Sequence, residues 1–233
     1  MKTIGLIGGM SWESTIEYYR IINQVVQMKL GGVHSAKIVM VSLDFAEIEE
    51  LQTQAKWEEA TSIMVDSAKR LEKCGADMVL ICTNTMHLMA DEVQEGINIP
   101  LLHIADATAQ TVIDQGLNKV GLLGTRFTME KDFYRGRLEK KHKLKVLIPD
   151  ENQRDIVHRV IYQELVKGQI KENSREKYRE IIESLVKNGV EGIILGCTEI
   201  GLLVKQEDTA VPVFDTTDIH ARAAVEAALD NAF

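Results

Sequence analysis

Two stretches set thiol, hydroxyl and amide side chains directly after apolar runs. One is Cys82-Thr83-Asn84-Thr85, with His87 close behind; the other is Gly196-Cys197-Thr198-Glu199. A thiol at the end of a buried strand suits acid–base or nucleophilic work, because its proton is far more easily lost near neutral pH than that of a hydroxyl. The run "TEIGLL" after Cys197 reads as a short helix, and the positive end of a helix predicts a lowered thiol pKa. The competing reading of Cys197 is a small hydrophobe filling a strand end. Thr83, Asn84 and Thr85 offer hydroxyl and amide donors which, with the following N–H groups, would cradle a carboxylate. The same residue types are ordinary helix N-caps, and the two roles are compatible. Cys82 is expected on the opposite face of its strand, and His87, one helical turn beyond Thr83, reads first as a structural histidine.

A third strand-to-helix turn, "GLIGGMS" at 5–11, is rich in glycine. It has neither the G-x-G-x-x-G spacing of a dinucleotide site nor the G-K-[ST] of a phosphate loop. Close approach of a small anion to the N–H groups of Gly9, Met10 and Ser11 is the better reading. A fourth turn, "LGTRFTM" at 123–129, offers Thr125 and Thr128. Gln52, Gln54 and Lys167 are further polar groups within possible reach of a ligand, with solvated surface as the plainer expectation for each. The acidic run at 47–50 reads as an exposed helix start.

These turns need strands and helices to hold them. Apolar runs at 3–7, 37–43, 78–82, 100–104, 119–123, 145–148, 192–196 and 211–214 lack polar alternation, which suits strands of a parallel sheet buried on both faces. Helical spacing marks 14–30, 56–74, 153–167 and 175–187, with glycines 31–32, 75, 168 and 189 as stops. Strand alternating with helix predicts an α/β fold with mostly parallel sheets.

The alternation contains a repeat. "KTIGLIGG" at 2–9 resembles "NKVGLLGT" at 118–125, setting Gly5 on Gly121 and Gly8 on Gly124. Residues 75–85 resemble 189–199, and 99–108 resemble 211–220, in the same order and at nearly constant offset. The expected architecture is two similar lobes related by a pseudo-twofold axis, each a mostly parallel four-stranded sheet flanked by helices. Residues 1–98 plus 211–233 would form the first lobe and 99–210 the second. In that register Cys197 falls on Thr83, not on Cys82. Since ligands bind at the carboxyl ends of parallel strands, the two turns would serve one small molecule in a cleft between lobes.

Bulk properties narrow the function classes. A chain of 233 residues buries roughly 70–75% of its unfolded surface, enough for a sizeable core. A net charge of −8 argues against a nucleic-acid surface. No apolar run approaches the ~20 residues of a membrane helix, and Trp12 and Glu13 interrupt the only apolar stretch near the start, so no signal peptide is read. Three scattered cysteines, without C-x-x-C or zinc-ligand spacing, predict free thiols in a cytoplasmic protein with no bound metal.

Taken together, C-T-N-T with His87 downstream, G-C-T-E, and glycine after the first strand resemble the aspartate/glutamate racemase family over essentially the whole chain. Within it the sequence is most similar to broad-specificity amino-acid racemases. The resemblance implies a homodimer acting on a small amino-acid substrate without a cofactor. The α-proton would leave from one face and a proton would return on the other, carried by two opposed groups. Two are required because a single base returning its own proton regenerates the starting enantiomer. Carried over by position, Cys197 matches one catalytic thiol of the family, and Thr83 stands where many relatives have the other. Met10, Gln52, Asn84, Thr85, Thr125, Thr198 and Glu199 are the residues expected to bind the substrate. Gln52 replaces a basic residue common in aspartate racemases, which leaves acidic and broader substrates both open. Two alternatives follow from the single thiol: a decarboxylase of substituted malonates on the same scaffold, or an amino-acid-binding protein without turnover.

Overall fold

The structure is a computed structural model in which residues 1–230 are described. The chain forms two compact units, residues Met1–Ile104 together with the segment from His220 onward, and Ala105–Ile219. Along the chain the first unit holds β1 (Ile4–Gly8), α1 (Trp12–Leu30), β2 (Ile38–Ser42), α2 (Phe45–Thr53), α3 (Trp57–Lys73), β3 (Met78–Ile81), a 3-10 turn at Thr85–Met89 and α4 (Ala90–Glu95). From Ala105, the second residue of α5 (Ile104–Asp114), the second unit adds β4 (Lys119–Gly124), α6 (Arg126–Glu130), α7 (Arg135–Lys140), β5 (Lys145–Leu147), α8 (Glu151–Gln163) and α9 (Glu172–Lys187). It closes with β6 (Gly192–Gly196), α10 (Ile200–Leu203), β7 (Val213–Asp215) and the start of α11 (Thr216–Leu229).

Each unit is an α/β layer structure around one parallel sheet, ordered β2-β1-β3 in the first and β5-β4-β6-β7 in the second. The central strands are buried along their whole length apart from Lys119, as their unbroken apolar runs require, while the edge strands β2 and β5 are partly exposed. The repeat holds at the level of register. Ile4 pairs with Met78 as Val120 pairs with Gly192, and Val79 bridges to Leu101 as Ile193 pairs with Val213. Even the prolines correspond: Val79 N–H donates to Pro100 O and Ile193 N–H to Pro212 O, each at 2.9 Å. Gly75 and Gly189, equivalent in the repeat, end α3 and α9 with φ of 86° and 82°, a left-handed conformation that a side chain would strain.

Two expectations are corrected. The first sheet has three strands, and the predicted strand at 100–104 shrinks to a bridge at Leu101. Val79 uses both its backbone groups there, accepting from Leu102 N–H at 2.9 Å, but the chain then turns into α5 and Ile104 N–H goes to a histidine ring, not to β3. Residues 211–214 were expected to leave for the first lobe. Instead Val213–Asp215 pairs with β6, and the chain rejoins the first unit at His220, inside the first turns of α11.

The first sheet is packed on both faces. One face buries Ile4, Leu6, Leu80 and Cys82 against Tyr18, Ile22, Val25 and Val26 of α1 and Ala221, Ala224 and Val225 of α11. The other buries Ile7, Val79 and Ile81 against Met64, Ala68 and Leu71 of α3 and Met86, Met89 and Val93 beyond the Thr83 turn. Truncating a buried leucine such as Leu80 to alanine removes about 2–5 kcal/mol. Among the described residues no helix is long and apolar enough to cross a membrane.

Candidate active site

In the first unit two turns leave the sheet side by side, because Gly8 and Cys82 directly follow the paired residues Ile7 and Ile81. The glycine turn closes on itself. Gly9 N–H donates to Thr15 Oγ1 at 2.8 Å, and that hydroxyl donates to Ser11 O at 2.7 Å. Gly9 has φ of 88°, and a side chain on it would collide with the backbone of Leu43. The Gly9 N–H expected to meet an anion is therefore already used, and the Met10 side chain is buried in the apolar cluster with Ile7 and Ile48.

The neighbouring turn carries Thr83, Asn84 and Thr85, all buried. What braces it is an imidazole. Ile104 N–H donates to His87 Nε2 at 3.2 Å, so that nitrogen is the acceptor and His87 Nδ1–H donates to Thr83 O at 2.8 Å. A ring fixed in this tautomer ties the backbone of Thr83 to the start of α5. His87 also packs on the rings of His103 and His220, 4.6 and 6.0 Å away between centroids. His220 donates through Nε2 to Leu102 O and accepts from the Tyr18 hydroxyl, each at 2.8 Å, and burial pulls its pKa down to about 4. Gln52, expected at the surface, is only 5% exposed and donates to Met86 Sδ at 3.2 Å. The packing of α2 thus brings it to the Thr83 turn. Cys82 lies on the opposite core face, where burial raises its thiol pKa, whereas Gln54 and Lys167 are exposed.

In the second unit the equivalent pair of turns follows Gly124 and Gly196, which face each other in register. Thr125 caps α6, its hydroxyl accepting from Thr128 N–H at 3.3 Å. Cys197, 7% exposed, lies 2.9 Å from the carboxylate Oε2 of Glu199, and the Thr198 hydroxyl donates to the same oxygen at 3.1 Å. Glu199 is itself 2% exposed. The turn is braced from β7–α11: Thr216 Oγ1 donates to Leu195 O at 2.7 Å and Thr217 Oγ1 to Thr198 O at 3.3 Å.

The expected lowering of the Cys197 pKa is overturned. Burial and the adjacent Glu199 carboxylate push the thiol well above its ordinary value. A helix of four residues, Ile200–Leu203, aligns too few peptide dipoles to offset that. Burial and the carboxylate both favour the neutral thiol.

Within the first unit, then, the structure gathers Thr83, Asn84, Thr85 and Gln52, and within the second it gathers Cys197, Thr198 and Glu199 beside Thr125. Sequence reading missed Thr15, Thr216 and Thr217 as braces. The last two lay in view in "VPVFDTTDIH", where the repeat sets them on Ile104 and Ala105, so two hydroxyls at a strand end were the available signal. Among the described residues no three His, Cys, Asp or Glu side chains gather as a metal-ligand set.

The chain is similar to known proteins over most of its length. The family model for Asp/Glu/Hydantoin racemase matches residues 7–224. Broad specificity amino-acid racemase RacX of Bacillus subtilis (strain 168) is 24% identical over 175 residues, covering 72% of each chain. A crystal structure of a proposed Asp/Glu racemase from Yersinia pestis is 56% identical, superposes with a TM-score of 0.92, and is matched over 99% of this chain and 100% of its own. That of an aspartate racemase homologue from Pyrococcus horikoshii OT3 is 38% identical with a TM-score of 0.85, over 99% and 100% of the two chains. With the model spanning nearly the whole chain and the repeat preserved down to its strand register, this chain belongs to the Asp/Glu/Hydantoin racemase family.

Proposed function

We propose that the protein racemises amino acids without a cofactor, with Cys197 and Thr83 as the two proton carriers. The observation that carries this reading is positional. Two groups able to exchange a proton stand at repeat-equivalent ends of equivalent strands, β3 and β6, and racemisation needs one carrier for each face of the substrate carbon. Asn84, Thr85, Thr125 and Thr198 supply hydroxyl and amide donors for the substrate carboxylate, where negative charge accumulates as the α-proton leaves. Gln52, a neutral donor and acceptor, suits the side chain of aspartate or glutamate and equally that of a non-acidic amino acid. The substrate class is therefore acidic amino acids or a broader set. The working form is a homodimer.

The neutral thiol favoured at Cys197 sets which proton transfer must come first in each direction. A thiol that starts protonated is ready to deliver a proton, and must first lose it before it can abstract one. Incubating the protein in D2O with each enantiomer of aspartate, glutamate and several neutral amino acids tests the reading. Chiral chromatography should show the opposite enantiomer appearing with one deuterium at the α-carbon. Absence of both exchange and racemisation for every amino acid would exclude a racemase and leave a binding protein or a decarboxylase.

A second reading has a specific observation behind it: of the two repeat-equivalent positions, one carries sulfur, Cys197, and the other a hydroxyl, Thr83. One thiol suffices to protonate a single face of an enediolate formed by decarboxylation of a substituted malonate. Release of CO2 from such a substrate, without loss of chirality from amino acids, would select this reading.

A further inference from the structure

We infer that Glu199 exchanges the Cys197 proton, so that the reacting group of the second turn is a thiol–carboxylate pair and not a lone cysteine. This deepens the reading of Cys197 as a proton carrier. Three observations carry it. The sulfur lies 2.9 Å from Glu199 Oε2. The Thr198 hydroxyl donates to that same oxygen at 3.1 Å, which fixes the carboxylate facing the sulfur. Both Glu199 and Cys197 are nearly excluded from solvent.

A thiol buried alone could ionise only by creating a new charge in a poorly hydrated site. Beside Glu199 the charge is already present. The step Cys–S–H with carboxylate going to Cys–S⁻ with carboxylic acid moves one proton across a short hydrogen bond and leaves the total charge unchanged. The thiolate then takes the substrate α-proton, the C–H electron pair staying on carbon. Thr83 supplies a proton to the other face, Glu199 releases its proton to solvent, and Thr83 regains one, which balances the cycle. In the opposite direction Thr83 first gives its proton to solvent and Glu199 takes one up. Thr83 then removes the α-proton, Cys–S–H protonates the other face of the carbanion, and the Glu199 carboxylic acid returns its proton to the sulfur. Tyr178 of α9 also lies near the sulfur, but its hydroxyl is fully buried, donates to Val157 O at 3.1 Å, and is held far above its ordinary pKa, so it stays neutral through the cycle. In the first unit the repeat sets Thr85 where the second has Glu199, so no carboxylate from that position serves Thr83.

The test is Glu199→Gln, which keeps an oxygen acceptor for Thr198 and the shape of the side chain. Two quantities are read: α-proton exchange in D2O, and thiolate ultraviolet absorbance against pH with Cys197→Ala as the blank. The expected result is exchange slowed by about 100-fold or more while the thiol titrates at lower pH than in the wild type, because the neighbouring negative charge is gone. A purely structural residue predicts no such opposition of the two readouts. Exchange within about 3-fold of wild type, or an unmoved thiol titration, overturns the inference. If the amide variant does not fold, Glu199→Asp decides: a slower enzyme whose thiol still titrates high supports the pair, and a full-rate enzyme with an ordinary thiol overturns it. Should the wild type exchange no amino-acid proton at all, the racemase reading fails by itself, and the titration still decides whether Cys197 and Glu199 share a proton.

Discussion

The turns after β3 and β6 occupy the same place in the repeat, yet they are built from different chemistry. The first presents a hydroxyl, Thr83, and is braced by the imidazole of His87 bonded to backbone at both ring nitrogens. The second presents a thiol, Cys197, with a carboxylate of its own, and is braced by the hydroxyls of Thr216 and Thr217. The repeat keeps its strand register while the side chains at the two turns differ. The asymmetry is therefore local: the second turn sets a carboxylate beside its thiol, whereas Thr83 has none at the equivalent position.

The largest effect should come from removing the sulfur. Cys197→Ala is expected to lower kcat/KM by at least about 10³-fold in both directions, as checked by exchange and by racemisation of each enantiomer. A comparable loss from Thr83→Ala would erase the distinction between the turns.

Acid should weigh next, through His220 of the first unit. His220 is neutral when folded, with its pKa depressed to about 4 from an ordinary 6.5. As pH falls the unfolded chain binds this proton first, so the stability present above pH 6.5 is lost progressively down to pH 4, by roughly 3 kcal/mol for this one group. Denaturant midpoints measured across that window should drop, and His220→Gln should flatten the change. His158 of the second unit shifts in the same direction for the same reason, burial, so the variant is what assigns the effect to the first unit.

Thr83→Ala is expected to slow exchange by about 10²-fold, with Thr83→Ser retaining most of the rate. Because enantiomers interconvert with an equilibrium constant of one, wild-type kcat/KM must match in the two directions. The difference between hydroxyl and thiol should instead appear in kcat and KM taken separately and in the two α-deuterium isotope effects. The smallest effects belong to the braces. His87→Leu strands both Thr83 O and the Ile104 N–H and should cost about 2 kcal/mol, against about 1 kcal/mol for Thr216→Val, read as shifts in Tm. Equal shifts would mean that the two braces are interchangeable.

Much of this was legible before any coordinates. Unbroken runs such as "TIGLI" and "GIILG" marked the central strands, Gly75 and Gly189 marked helix ends, and the repeat set Cys197 on Thr83 rather than on Cys82. These features depend on the polarity and backbone freedom of neighbouring residues, so adjacent sequence determines them. The extent of the strands at 100–104 and 211–214 was not legible, since it depends on which distant edge accepts their hydrogen bonds and, at Ile104, on a histidine ring competing for the N–H. Gln52 looked like surface because its α2 neighbours are acidic, and only the packing of that helix buries it. The direction of the Cys197 pKa shift likewise depends on three dimensions. Position in sequence suggested a helix dipole, but the charge a thiol can bear is set by the solvent excluded around it and by a carboxylate oxygen 2.9 Å away, and both are products of tertiary packing.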